Sequence, residues 1–389
     1  MKKQLIRLLF CAGLLLGLLT VGAAAGYSGT PKQPAGSGTA ESPYLISSAE
    51  ELYWFAGLVN GDSNAIGNEG SQNTAAWAVL TNDISVNDKV LNPDGTLSDN
   101  VDNFTRWAPI GNTSNNYTGT FDGRGFTISG LYYSGDASYI GLFGRVGSGG
   151  VVKSLRVADS YLRGGGNVGG ICGFNAGTIT YCDNSGAVTG DNNIGGICGY
   201  TVSTVMYCSN SGAVSGNISV GGVFGGSDRA ANADPGVPDD LISNCGNSGA
   251  VTGVQKVGGV GGKIQYEDPA PLVIRYCFNV GTVDGDSEVG GVCGDNLKSN
   301  GISECFWLDT TCAEGFGHEN GDIAEAKTAD QFASGEVLTL LNLAYVDPWR
   351  QALGTDPYPV LDGSQNVVIQ SGDGYKNLVF DEEGFCAEN

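Results

Sequence analysis

Residues 167–190 read NVGGICGFNAGTITYCDNSGAVTG, and 26 residues further on 193–216 read NIGGICGYTVSTVMYCSNSGAVSG. A third copy begins at Ser219. Self-similarity at such a period marks an array in which each unit buries its apolar face only against its neighbours. This constrains architecture far more than it constrains activity.

Aligning the chain with itself yields columns of like residues. Tyr139, Val168, Ile194, Val220, Val257 and Val289 form the first aliphatic column, and Leu142, Ile171, Ile197, Val223, Val260 and Val292 the second. Ile179, Val205, Ile242, Ile274 and Ile302 form a third, and Val188, Val214, Val251 and Val283 a fourth. Columns rich in β-branched residues, separated by Gly and Asn turns, predict about three short strands per repeat. A helix would carry glycines throughout its interior, which costs too much. The 64 glycines follow the long repeat and not a three-residue period, so they mark turns and exclude collagen. The predicted fold is all-β: a right-handed, single-stranded parallel β-helix with coils about 4.8 Å apart and short capping helices near both ends. Val168 and Ile171 are three apart, so strict alternation cannot turn both inward, and the Gly169–Gly170 pair supplies a bend. Ile179 and Cys182 need a second bend, which the sequence does not locate.

The expected organisation is a signal peptide at 1–25, a linker at 26–42, a capping helix within 43–62, the β-helix over 63–309, a C-terminal cap at 310–362 and a tail at 363–389. Lys2, Lys3 and Arg7, the apolar run Leu8–Val21 and Ala23–Ala25 carry the export reading. Ser48 and Glu51 fit a capping box, and a helix there would shield the unpaired end of the solenoid. Thr328–Asn342 reads as helical, and the tail as a loose end or an edge strand. Two polar insertions, SDRAANADPGVPDD and IQYEDPAPL, predict loops on one side of the solenoid. Removing Lys2, Lys3 and Arg7 leaves 16 basic residues against 41 acidic, a net charge of −25. Such a polyanion repels nucleic acid and anionic lipid. The mature chain has no candidate membrane span, and its expected state is a secreted or surface-located monomer.

The strings VGGICG, VGGVFG and VGGVCG, each followed by a T-I-x-x-C-x-N-x-G-x-V-x-G pattern, resemble the GLUG motif repeats of bacterial cell-surface proteins. The flanks PYLISSAEELYWFAGLVN, WAPIGN, FDGRGFTISGLYY and PYPVL look like the lead-in and exit of such domains, so the resemblance covers roughly 40–362. It implies a secreted or surface β-helix of the kind that accompanies adhesin-like proteins and the non-catalytic parts of IgA-specific metallopeptidases. No catalytic residue comes with the motif, and the HExxH string of those peptidases is missing here.

Ten cysteines remain beyond the signal segment. Cys182, Cys208, Cys245, Cys277 and Cys305 share one column; Cys172, Cys198 and Cys293 share another with Phe143, Phe224 and Gly261. A position that accepts Cys or Phe is an apolar slot, which favours free core thiols over a disulfide framework, with Cys305 and Cys312 the best local pair if bridging occurs. His318 is the sole histidine, which argues against triads, histidine-ligated metals and a zinc site. Glycosidic chemistry wants two carboxyl groups on one face. Asp122, Asp239, Asp240, Asp284 and Asp286 are the candidates, but none pair in one column, and Asp122 reads as turn chemistry. Asp284, Asp286 and Glu288 fit either a calcium-clasping turn or a plain acidic one; no other cofactor is indicated. Tyr181, Tyr207 and Tyr276 share a column with Asn244 and Glu304, so that column faces water and can stack on sugars or anchor a protein. The leading expectation is a non-catalytic adhesin-like or ligand-presenting solenoid for an extracellular glycan or a host or neighbour-cell protein. A polysaccharide-active lyase or hydrolase and a structural spacer are the alternatives.

Overall fold

The computed structural model describes residues 29–67, 71–229, 240–266, 273–296, 301–318, 323–342, 349–361, 367–371, 374–380 and 386–387. The expected signal segment, Asp239 and most of both insertions lie outside them, as does the side chain of Asp240.

The chain winds as a parallel β-solenoid with three walls. In one coil these are Thr178–Asn184, Ala187–Gly195 and Cys198–Thr201, hereafter the Cys182, Val188 and Cys198 walls. The Cys198 wall stacks six strands in strict chain order, one per turn, from Phe143–Val146 to Cys293–Asn296. Among the described residues the pairings between coils are parallel, as in Ile179↔Val205, Val205↔Ile242 and Ile242↔Ile274, with a register shift between Asp240 and Ile242. The predicted columns therefore become vertical ladders. Val168, Ile194, Val220 and Val257, Ile171 to Val292, and Ile179 to Ile302 are all buried in one continuous core. Burying each such side chain contributes about 1.5–3 kcal/mol.

One column starts differently. Val168 pairs with Ile140, not with Tyr139. Tyr139-Ile140-Gly141-Leu142 has one glycine where later coils have two, so counting back three from Leu142 lands on the wrong residue.

The bend that the sequence left unplaced is the tyrosine column itself. Tyr181, Tyr207, Asn244, Tyr276 and Glu304 all take left-handed backbone, with φ of 53°, 54°, 51°, 55° and 53°. One left-handed residue resets the alternation, so Ile179 and Cys182 both point inward. The Gly-Gly bend has a packing cause as well. A Cβ on Gly169 would lie 2.3 Å from the Cys172 carbonyl oxygen, and one on Gly170 would lie 2.4 Å from Asn184 Cγ.

Asn184 belongs to a buried ladder that the apolar columns conceal. Its Nδ2 donates to Asn210 Oδ1 at 2.9 Å, Asn210 donates to Asn247 at 2.8 Å, and Asn247 donates to Asn279 at 2.8 Å. Each Nδ2 also donates to the carbonyl two residues on, to Gly186, Gly212, Gly249 and Gly281 in turn. In Asn184, Asn210 and Asn247 both amide hydrogens are satisfied without water, which is the condition for burying them. Val157 precedes the ladder in register and Trp307 follows it.

The helix Ala49–Asn60 lies over the N-terminal end and joins the main core, with Phe55 5.7 Å from Phe121 and Tyr53 5.1 Å from Trp107. Its predicted capping box is half formed: the Ser48 hydroxyl accepts the Glu51 N–H, but the Glu51 carboxylate turns to the N–H and hydroxyl of Ser47. A strand absent from the sequence reading, Tyr44–Ile46, pairs with Ala78–Leu80 and begins the Cys182 wall. At the other end, Ala329–Ala333 opens with a complete capping box from Thr328 and Gln331, and Glu336–Leu341 follows. These helices build a second small core with Trp349 on the outer side of Phe278 and Phe306. Within the tail, Val367–Ser371, Gly374–Phe380 and Cys386–Ala387 pair as an antiparallel sheet.

Candidate functional site

Tyr181 and Tyr207 lie on consecutive coils of the Cys182 wall and stack with ring centroids 4.7 Å apart at 16°. The left-handed backbone that turns Cys182 inward also holds these rings outward. Tyr181 is 49% exposed. Ser154 fills the same column in the preceding coil, so that column places no large side chain against the second face of Tyr181. Tyr276 is not part of the pair. Asn244 intervenes, and Tyr276 packs against the C-terminal core of Phe278, Phe332 and Trp349. The structure brings two of the three predicted tyrosines together and gives the third a packing role.

A second aromatic row, which the sequence reading missed, runs along the Cys198 wall. Phe174 and Tyr200 stack 6.0 Å apart at 7°, and the Arg145 guanidinium lies 4.2 Å over Phe174 and 4.7 Å over Tyr139. Burial and the nearby Asp228 push the Tyr200 phenol up to about 12, so it stays a hydrogen-bond donor at neutral pH. The signal was the alternation of Phe174 and Tyr200 with Cys172 and Cys198. Between the N-terminal helix and the first coils lies a cavity of about 610 Å3 lined by Tyr53, Asn60, Arg106, Trp107, Pro109 and Tyr133 among others. A hollow of about 300 Å3 shares Asn60, Ala108, Pro109 and Tyr133 with it.

The predicted calcium set is not assembled. Asp284, at the end of the strand Val283–Asp284, and Asp286, in the bend after it, are both exposed, and among the described residues neither joins a group of three metal-binding side chains. Glu288 instead meets Asp295 and His318, their ligand atoms all within 4.8 Å. The sequence reading missed this because His318 reaches the group only when Phe316 bridges to Cys293. Three such donors suit a divalent transition metal in kind, but the Lys256 ammonium already sits there, 2.6 Å from Asp295 Oδ2 and 4.0 Å from Glu288 Oε2. The group is an ion network centred on an ammonium.

Glu288 and Asp295 also come as near each other as the carboxyl pair of a retaining glycosidase. Asp295 is 0% exposed, and neither residue lines any of the four principal cavities. Asp122 serves a turn, accepting the Arg124 N–H and pairing with Lys153 at 3.3 Å.

Among the described residues nine cysteines are free, and Cys305 and Cys312 are unbridged. In the long column Cys182, Cys208, Cys245, Cys277 and Cys305 each donate to the carbonyl two residues back, at 3.2–3.4 Å. Burial pushes the thiols of Cys198, Cys208 and Cys277 well up. These are packing residues, not nucleophiles.

No protein-family model matches the chain. It is similar to halomucin of Haloquadratum walsbyi, 31% identical over 160 residues, or 40% of this chain and 2% of halomucin. It is similar also to a "putative Gly-rich membrane protein" of Evansella cellulosilytica, 33% identical over 148 residues, or 37% of this chain and 14% of that protein. The chain thus spans a small part of the length of either relative. Among the described residues no helix is long and apolar enough to cross a membrane. Among solved structures, a "putative immunoglobulin A1 protease" from Bacteroides ovatus shares the fold, with a TM-score of 0.55 and 17% identity over 84% of this chain and 94% of that one.

Proposed function

We propose that this chain is a surface-associated, non-catalytic β-solenoid of the GLUG-repeat kind, which binds an extracellular glycan or protein through an outward aromatic face. The observation that carries this reading is the Tyr181–Tyr207 stack: two rings held by the backbone on adjacent coils, one of them half exposed. A preset aromatic platform loses little conformational entropy when a sugar ring or an apolar side chain settles on it. The names of the two sequence relatives support a surface location. An enzyme reading has less support, since Lys256 neutralises the Glu288–Asp295 pair and Asp295 is fully buried.

An array of glycans and extracellular proteins probed with the mature chain tests the proposal. Tyr181→Ala with Tyr207→Ala is expected to weaken a captured ligand ten-fold or more, and Tyr276→Ala to leave it unchanged. Binding that is indifferent to the loss of both Tyr181 and Tyr207 overturns the assignment.

A further inference from the structure

We infer that the cavity beneath the N-terminal helix is a second binding site, for an acidic saccharide whose carboxylate is received by Arg106. The Arg106 guanidinium lies 4.2 Å over the Tyr133 ring and lines the largest of the principal cavities. Its Nε is buried without a hydrogen-bond partner, and the guanidinium makes no ion pair with any described residue. Other cations of this acid-rich chain do find carboxylates: Lys153 pairs with Asp122, Arg156 with Asp183, Lys327 with Glu336. A buried donor left unmade costs about 1–3 kcal/mol, and a planar guanidinium matches a carboxylate with two parallel bonds.

The surroundings are shaped for this group. A Cβ on Gly135 would lie 2.7 Å from Arg106 Nη2, so the glycine makes room for the fork. Asp62, the acid lining the same cavity, is turned to the helix cap, where its Oδ1 accepts the N–H of Asn64. The chain's net charge of −22 acts against an anion only at long range, and at physiological ionic strength charges beyond about 8 Å are largely screened. A saccharide is favoured over an acidic peptide by the walls. Ala108 and Pro109 offer apolar surface for sugar rings, and the adjoining hollow, which shares both residues, adds Thr113 and Ser138 as partners for sugar hydroxyls.

The site shares no lining residue with the Tyr181–Tyr207 stack, so the two assignments stand or fall separately. The test is calorimetric titration of the mature chain with an oligogalacturonate, its methyl ester and a glutamate-rich peptide. The free acid is expected to bind at least ten-fold more tightly than the ester. Arg106→Gln is expected to abolish that difference, and Arg106→Lys to retain part of it. Circular dichroism melts of both variants establish that they fold; should Arg106→Gln fail to do so, Arg106→Lys and the acid–ester comparison carry the test. Tyr181→Ala with Tyr207→Ala should leave the acid–ester ratio unchanged. Equal binding of acid and ester, no binding of the acid at millimolar concentration, or Arg106-dependent capture of the peptide alone each overturns the inference.

Discussion

The Phe224 ring fills the space that Gly261 leaves in the next coil: a Cβ on Gly261 would lie 2.1 Å from Phe224 Cζ. The two are direct partners in the ladder that runs Phe143, Cys172, Cys198, Phe224, Gly261, Cys293. Large and small residues share one column because a ring can spread over the coil whose own residue is smallest. Gly261→Ala is therefore expected to destabilise by about 1–3 kcal/mol through overpacking. Since Gly261 has no positive φ, the penalty is steric, and Phe224→Leu in the same chain should recover part of it. Urea midpoints of the single and double variants check the coupling, and a neutral Gly261→Ala would refute it.

The asparagine ladder makes a second prediction. Asn247 donates to Asn279 and Gly249 and accepts from Asn210, all out of contact with water. Asn247→Ala strands one Asn210 donor, at about 1–3 kcal/mol, while the Asn279 oxygen keeps the Gly281 N–H. Asn192→Ala, at an exposed position of the Val188 wall, is expected to be within about 0.5 kcal/mol of neutral. Equal urea midpoints for the two variants would show that the ladder adds no stability.

The solenoid was legible because its ladders are apolar and repeat. Val168, Ile194 and Val220 fall in register on the sequence alone. The asparagine ladder was just as periodic but hid in turn-like strings such as DNSG and SNSG, where Asn reads as loop chemistry. Its burial follows from a tertiary fact, the stacking of Asn184 on Asn210, that no local pattern reports. The contact of Tyr276 was hidden for a similar reason: its column is outward, but the C-terminal core packs against this partly buried ring. Arg106 and its cavity left no repeat signal at all, because they lie where the regular coils meet the N-terminal helix.

The thiols are expected to be chemically silent. Burial raises Cys198, Cys208 and Cys277 well above the usual thiol range, and although hydrogen bonds from Cys208 and Cys277 hold Cys245 down, it is fully buried, so no reagent reaches the thiolate that would react. In the chain from Gly26 onward carrying Cys386→Ser, a thiol reagent should modify native protein at Cys312 first, since it is the sole partly exposed cysteine of the nine. The other eight should react only in denaturant. Rapid native modification of Cys208 or Cys245 would contradict the packing.

Glu51 predicts a pH effect at the N-terminal cap. Burial alone pushes its carboxyl up, but the Ser47 N–H and hydroxyl and the Lys32 ammonium outweigh it, and the net shift is downward. A carboxyl depressed by folding stabilises above its unfolded value, about 4.3, and that stability is lost as pH falls through the lower folded value. Glu51→Gln should therefore melt below the parent at pH 6, with the gap closing toward pH 3. A gap that stays constant across that range would show that the carboxylate is not the cause.

Lys256 and Asp295 predict a strong electrostatic effect. Asp295 is fully buried, Lys256 is 18% exposed in its side chain, and their contact is 2.6 Å. Removing one partner of a buried pair leaves an uncompensated charge and costs about 3–5 kcal/mol. In Lys256→Met the burden is greater still, because Glu288 and Asp295 then face each other within 4.8 Å without a cation. Lys256→Met is thus expected to lose stability of that order, and Asp295→Asn added to it should restore most of the loss. Zinc gives a separate readout, since Lys256→Met frees the Glu288, Asp295 and His318 donors. The variant's melting temperature should rise with added Zn2+, while His318→Ala in the same background should not respond. A Lys256→Met protein as stable as the parent and blind to zinc would mean that the ammonium does not hold this group of acids together.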